Sequence, residues 1–304
     1  MTRHRGDSGH ASKGLLPPDG GPSIREFKHP EAPIEWIKRL DNPDREYNEA
    51  FVYQVRIASQ EYALKVFKFS NPKSNLFYWG TRLREKLPLK QAIFYTDPFY
   101  AECRAYGRIE DGKVDRHSRT PRVRQQIAVK CHGYLLLDDS DKRWLLDRGH
   151  DLETDLLDND VREALEGDTR VRAIVKHLDK RPSLLHAGNI GRAWTSVHLL
   201  NKSLKIYNMD IKADNFIGFR LVDFGSSWTE PHEILRYLDE TRERIGRNKR
   251  GRDRENFDDM IEEEEIPTRL KVVPTSRYQL RSGGEAPWAG RELPKRRRTM
   301  TGHE

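Results

Sequence analysis

The sequence predicts an α+β fold, and three observations carry that prediction. Two β-rich runs, 51–57 and 62–69, flank a short polar stretch at 58–61 and read as a hairpin. Residues 189–203 place Ile190, Ala193, Trp194, Val197, Leu199 and Leu200 at helical spacing, which makes an amphipathic helix with a core-facing stripe. Shortly after it come Tyr207-Asn208-Met209-Asp210-Ile211-Lys212-Ala213-Asp214-Asn215 and, further on, Asp223-Phe224-Gly225, a polar stretch too dense in chemistry to be a plain connector.

Taken in order, residues 1–30 are rich in Gly, Ser, Pro and charge, with no apolar core of a signal peptide, and predict a disordered leader. Residues 34–40 suit a first strand and 41–48 a loop, before the hairpin. A basic insertion, loop or short helix, fills 71–95, and a helix through Tyr100-Ala101-Glu102-Cys103-Arg104-Ala105-Tyr106 follows. Strands are predicted at 126–137 and 171–176. Between them, 145–165 mixes apolar helical spacings with many acids and reads as an exposed insertion. Residues 233–244 can form one helix. From 240 onward charge dominates, with a basic block at 247–252, an acidic run at 262–265 and Pro294-Lys295-Arg296-Arg297-Arg298 near the end. Such blocks bury too little apolar area to order themselves, so 240–304 is predicted to be a charged, largely disordered tail.

The bulk numbers agree with a folded centre and polar extensions. Of 304 residues, 36% are hydrophobic and 34% charged. A net charge of +7 suits acidic partners, nucleotide phosphates or nucleic acid among them, without establishing any. Cys103 and Cys131 cannot build a disulfide framework, and neither stands at a metal-ligand spacing, so a reducing compartment is expected. The longest apolar runs fall far short of a membrane span, and no membrane partner is expected.

Moving a phosphoryl group needs a carboxylate to orient and deprotonate the acceptor, a cation near the moving phosphate, and oxygen ligands for magnesium. Asp210, Lys212, Asn215 and Asp223 are those residue types in that order. Upstream, Lys65 ends Ala63-Leu64-Lys65 on the second hairpin strand, and Glu102 is placed to hold it. Alone, Lys65 reads as a solvated strand lysine and Glu102 as a surface helix residue. The order Lys, Glu, Asp-x-Lys-x-x-Asn, Asp-Phe-Gly in one chain singles them out.

With that order the chain resembles the protein-kinase-like superfamily over 34–239. The resemblance implies a two-lobed fold, N-lobe about 31–179 and C-lobe about 180–239, with 177–179 as the connector meeting an adenine ring. It implies ATP and magnesium as cofactors: Lys65 on the α/β-phosphates, Glu102 holding Lys65, Asp210 as base, Lys212 near the γ-phosphate, and Asn215 and Asp223 on the metal. Pro98-Phe99-Tyr100-Ala101-Glu102-Cys103-Arg104-Ala105-Tyr106-Gly107-Arg108, Val129-Lys130-Cys131-His132-Gly133-Tyr134 and Val222-Asp223-Phe224-Gly225-Ser226-Ser227-Trp228 are similar to a fungal kinetochore family, the Fta-two type of the Sim-four complex.

Three departures qualify the resemblance. No glycine lies between Gly21 and Gly80, so the glycine-rich lid over the phosphates is absent. No Ala-Pro-Glu motif follows Asp-Phe-Gly, and few apolar residues remain for a peptide-docking platform, which implies a truncated C-lobe. Met209 stands where an arginine would pair with an activation-loop phosphate, which removes that switch. The leading expectation is therefore a kinase-like domain binding ATP and magnesium, a phosphotransferase of weak or unknown activity, with weak or no transfer expected to generic protein substrates. Its rival is a pseudokinase scaffold of a nuclear, kinetochore-type assembly with protein partners. Direct nucleic-acid binding through the basic tail is a third.

The cations at 295–298 have the composition of a nuclear-import signal, against a cytoplasmic alternative. A large fluorescent fusion of the full chain is expected to be nuclear, and to lose nuclear accumulation when 295–298 are changed to alanine. Unchanged nuclear signal in that variant would show the tail is not the address.

Overall fold

The centre of the hairpin is set by alternation. In β2 (Ala50–Ile57) Tyr53, Val55 and Ile57 face the core at every second position, and in β3 (Gln60–Phe67) Tyr62, Leu64 and Val66 do the same. The two strands join through a two-residue turn in which Ala58 and Ser59 both have positive φ, 48° and 66°, the turn whose twist matches paired antiparallel strands. The turn is thus shorter than the four-residue turn expected. A computed structural model describes residues 21–43, 49–70, 88–112, 127–154, 157–166, 169–180, 184–232 and 240–273, with the backbone alone over 240–250.

Around the hairpin, β1 (Ile34–Arg39), β4 (Cys131–Leu136) and β5 (Arg172–His177) complete an antiparallel sheet in the order β1-β2-β3-β5-β4. Helix α1 (Leu89–Thr96) leads into α2 (Pro98–Asp111), which lies against β5. Asp97 caps α2 by accepting the Phe99 N–H at 2.9 Å, with Pro98 at the first helical position, and Gly112 ends the helix in the left-handed conformation at φ 42°. The basic segment expected at 83–87 lies outside the described residues.

Two sequence expectations are corrected in this half. The leader does not stay free up to residue 30. From Gly21 it runs as a strap across α2 and β4, burying Ile24 and Phe27, with the Phe27 N–H donating to the Tyr134 carbonyl at 2.8 Å and the Tyr134 N–H to the Arg25 carbonyl at 3.1 Å. Two glycines make room for it. A Cβ on Gly107 would stand 2.5 Å from the Ser23 nitrogen, and one on Gly133 (φ +130°) 2.6 Å from the Arg25 carbonyl. Nor is 145–165 an exposed insertion. Helices α3 (Asp139–Leu146) and α4 (Asn159–Ala164) pin it down, with Leu145, Leu152, Leu157 and Val161 buried and Trp144 stacked on Trp36 at 4.4 Å. Two acids cap the helices: Asp138, just before the segment, accepts from Ser140 and Asp141, and Asp158 within it from Val161.

The second half begins with α5 (Ile190–Ser203), which buries Ile190, Ala193, Val197 and Leu200 as its stripe predicts. Short strands follow, β6 (Ile206–Tyr207) with β9 (Trp228–Thr229) and β7 (Phe216–Ile217) with β8 (Arg220–Leu221). The tail expected to be disordered from 240 starts instead with a helix, α6 (Glu240–Glu263), docked on α5 and β6. Phe257, Met260 and Ile261 are buried on one face, and Phe257 meets Trp194 at 5.3 Å. The buried Asp258 then folds 266–273 back by accepting the Val272 and Val273 N–H groups at 2.9 and 3.0 Å. The domain boundary at 239 is therefore wrong: folded chain reaches at least 273. The basic block at 247–252 belongs to this helix and not to a disordered tail.

Phe257→Ala is expected to lower unfolding stability by about 3–5 kcal/mol, read from a shifted urea midpoint at unchanged slope. A loss under about 1 kcal/mol would mean α6 does not dock through this face.

Candidate functional site

Lys65 sits at the centre of the sheet, paired with Val52 of β2 and Ile174 of β5, so its ammonium is delivered from a rigid strand. It reaches two carboxylates: Glu102 Oε2 on α2 at 2.8 Å and Asp223 Oδ1 at 2.7 Å. Glu102 is fully buried. Against burial, which would favour losing the proton, the Asp223 and Glu102 carboxylates hold the Lys65 ammonium above its ordinary pKa. For Asp223, burial alone would raise the carboxyl, but Lys65, then Lys176, then the Gly225 N–H hold it well below the usual carboxylate range.

Lys176 was not a sequence candidate. On β5 it shares a face with Arg172 and Ile174, and its ammonium pairs with Glu102 Oε1 while donating to the Val222 carbonyl at 2.7 Å. Two buried ammoniums and two carboxylates thus form one chain: Lys176, Glu102, Lys65, Asp223. The sign of it in the sequence is a strand, Arg172 to His177, that carries cations at two positions of one face, on either side of Ile174, where apolar residues would be the default. Arg172, four residues earlier on the same strand, does a parallel job, pairing with Asp97 at 3.0 Å, so the cap of α2 is bolted to β5 as well.

The loop after β6 is ordered from within. Asn215 donates from Nδ2 to the Asp210 carbonyl at 2.7 Å and to Asp210 Oδ2 at 3.1 Å, and Lys212 Nζ donates to Asp210 Oδ2 at 2.5 Å. Asn208 Nδ2 donates to the Asp223 carbonyl at 2.6 Å, tying this loop to Asp-Phe-Gly. Phe224 is buried edge-on against Tyr106 of α2 at 5.1 Å.

A second missed residue holds this loop from outside. Asp253 of α6, fully buried, accepts the Asn208 N–H at 2.8 Å, the Met209 N–H at 2.7 Å and the Asn201 side-chain amide at 2.7 Å. It fixes a backbone that needs fixing, because Met209 has φ 70°, an uncommon conformation for a non-glycine residue. Asn256 adds a bond to the Met209 carbonyl at 3.3 Å. The signal lay in position: Asp253, Phe257, Met260 and Ile261 share one helical face.

These elements enclose a cavity of about 810 Å³ between the sheet and the loops. Of the six sequence-chosen residues, Lys65, Asp210, Lys212, Asn215 and Asp223 line it, and Glu102 stands behind Lys65, away from the opening. Val52, Ala63, Val129 and Leu178 supply apolar walls. Among the described residues no cluster of three or more His, Cys, Asp or Glu could hold a metal unaided, and no helix is long and apolar enough to cross a membrane.

A lysine–carboxylate cleft built on an antiparallel sheet, closed below by an Asp-Lys-Asn loop and an Asp-Phe-Gly turn, is thus the class of site this α+β fold defines. Comparison then supplies the family: residues 13–228 match the kinetochore Sim4 complex subunit FTA2 family, and the chain belongs to it. Curated proteins give no match. Among solved structures 36 chains match. One is vaccinia related kinase 3, 12% identical at a TM-score of 0.33, with 69% of this chain and 52% of that one covered, so this chain spans about half its length.

Asp253→Ala is expected to lower stability by about 2–5 kcal/mol, because two backbone N–H groups lose their acceptor inside the protein. Asp253→Asn, which keeps one acceptor oxygen, should lose less. Equal stability of wild type and Asp253→Ala in urea unfolding would show that the loop is held otherwise.

Proposed function

We propose that the chain is a nuclear kinetochore subunit built on a two-lobed protein-kinase-like fold, whose cleft binds ATP with magnesium. The observation that carries this is the Lys65 ammonium bonded at once to Glu102 on a helix and to Asp223 of Asp-Phe-Gly. That meeting brings a lysine–glutamate pair and the aspartate of Asp-Phe-Gly, 158 positions from Lys65, to one place, and positioning of nucleotide phosphates uses both. The kinetochore role and the nuclear address follow the family's name. The cleft's apolar walls suit an adenine ring, with 177–179 at its edge. The shortened second lobe belongs to this proposal too, with α6 now part of it.

The donor chemistry fits magnesium. The Asn215 side-chain amide donates through its nitrogen, which turns its oxygen free for a cation, and Asp223 stays ionised. Two protein ligands are few, as suits a hard cation that draws its remaining oxygens from phosphates and water. Bound there, magnesium would neutralise phosphate charge. In transfer, Asp210 would accept the proton of an acceptor hydroxyl, Lys212 would steady the departing charge, and Lys65 would orient the phosphates.

A second reading, a pseudokinase scaffold, is favoured by one observation: the site's charges satisfy one another, Lys212 with Asp210 and Lys65 with Asp223. Protein partners belong to both readings. Nucleic-acid contact through 294–298 lies outside the described residues.

Millimolar ATP with magnesium is expected to raise the melting temperature, by up to about 2.7 kcal/mol of stabilisation where ligand exceeds Kd a hundredfold. Asp223→Ala should remove the magnesium-dependent part, and no shift in wild type would sink the reading. If labelled-phosphate turnover is seen, Asp210→Asn should cut it far more than nucleotide affinity. No turnover beside a clear thermal shift would favour the scaffold.

A further inference from the structure

The mouth of the cleft holds a carboxylate that none of the roles above uses. Glu49 immediately precedes β2, at the place where a glycine-rich lid would turn its backbone N–H groups onto phosphates, and its own carbonyl is engaged by the Lys68 N–H at 3.1 Å. Exposed at that mouth, it lines the same cavity as Lys65, Asp210 and Asp223. A Cβ on Gly225 would stand 3.0 Å from Glu49 Oε2 and 3.4 Å from Asp223 Oδ1, so the two carboxylates converge over one backbone position.

The charges facing this spot are unequal. Asp210, Asp214 and Asp223 share the cavity with Glu49, against Lys65, Lys176 and Lys212, and each of those ammoniums already contacts a carboxylate. A polyphosphate entering here meets a further negative charge. An uncharged nucleoside, seated deeper between Ala63, Val129 and Leu178, does not.

We propose that Glu49 sets ligand specificity by standing in for the terminal phosphates: it presses the cleft toward adenosine-like ligands and weakens the share of affinity that the β- and γ-phosphates would add. This rests on the nucleotide reading and names its ligand class. The Glu49 carboxylate is the repulsive element by which one ligand is disfavoured against another in the same site.

The test is calorimetric titration of the full chain, wild type and Glu49→Gln, with adenosine and with ATP at fixed magnesium. Wild type is expected to bind ATP no more than about threefold tighter than adenosine, and Glu49→Gln to tighten ATP about tenfold while leaving adenosine unchanged. Glu49→Asp, which keeps the charge, should stay closer to wild type than Glu49→Gln does. An ATP-to-adenosine ratio unchanged in Glu49→Gln, with adenosine still bound, overturns the role of Glu49 alone. Binding of neither ligand by either protein overturns the nucleotide reading, and this inference with it.

Discussion

Everything about the cleft depends on one electrostatic chain, Lys176 to Glu102 to Lys65 to Asp223, buried except at its Asp223 end. A buried charge without a partner is expensive, and removing one member of a buried pair typically destabilises by about 3–5 kcal/mol. Here each charge is compensated by a neighbour from a different element: β5, α2, β3 and the Asp-Phe-Gly turn. The network therefore does two things at once. It fixes the relative positions of four elements, and it keeps the Asp223 carboxylate ionised.

The same logic extends outward from the cleft. Arg172 and Asp97 fasten the start of α2 to the sheet, and the strap of residues 21–28 crosses the helix further along at Gly107. Phe224 against Tyr106 brings the turn after Asp223 onto the same helix. Helix α2 is thus held at both ends and on its cleft side. On the far side of the loops, Asp253 holds Asn208 and Met209 by their backbones, so the polar loop is clamped from α6 while its side chains face the cavity.

Much of this was legible in the sequence, and the part that was not has a physical reason. The hairpin and α5 announced themselves through periodicity, and the residues Lys65, Glu102, Asp210, Lys212, Asn215 and Asp223 through order. What misled was charge. Asp253 sits in a run of arginines and lysines, and composition averaged over the run hides a single helical face made by Asp253, Phe257, Met260 and Ile261. The acids of 145–165 looked like solvated surface, whereas Asp158 among them caps α4, whose Val161 is buried. Lys176 was lost for the opposite reason: a lysine within an apolar strand run was read with its neighbours. Window composition reports what a segment has on average, and a buried ion pair is made by one residue that departs from the average.

The two glycines under the strap carry a consequence of a different kind. Gly107 and Gly133 receive backbone, not side chains, so the requirement they impose on residues 21–28 is one of path. Only Pro22, Ile24 and Phe27 of that segment are buried, while Ser23, Arg25, Glu26 and Lys28 face outward. The specificity of this docking is written in the absence of side chains at two positions distant from it. The strap's outward residues are left free to change, and a new surface can arise there without disturbing the seat beneath.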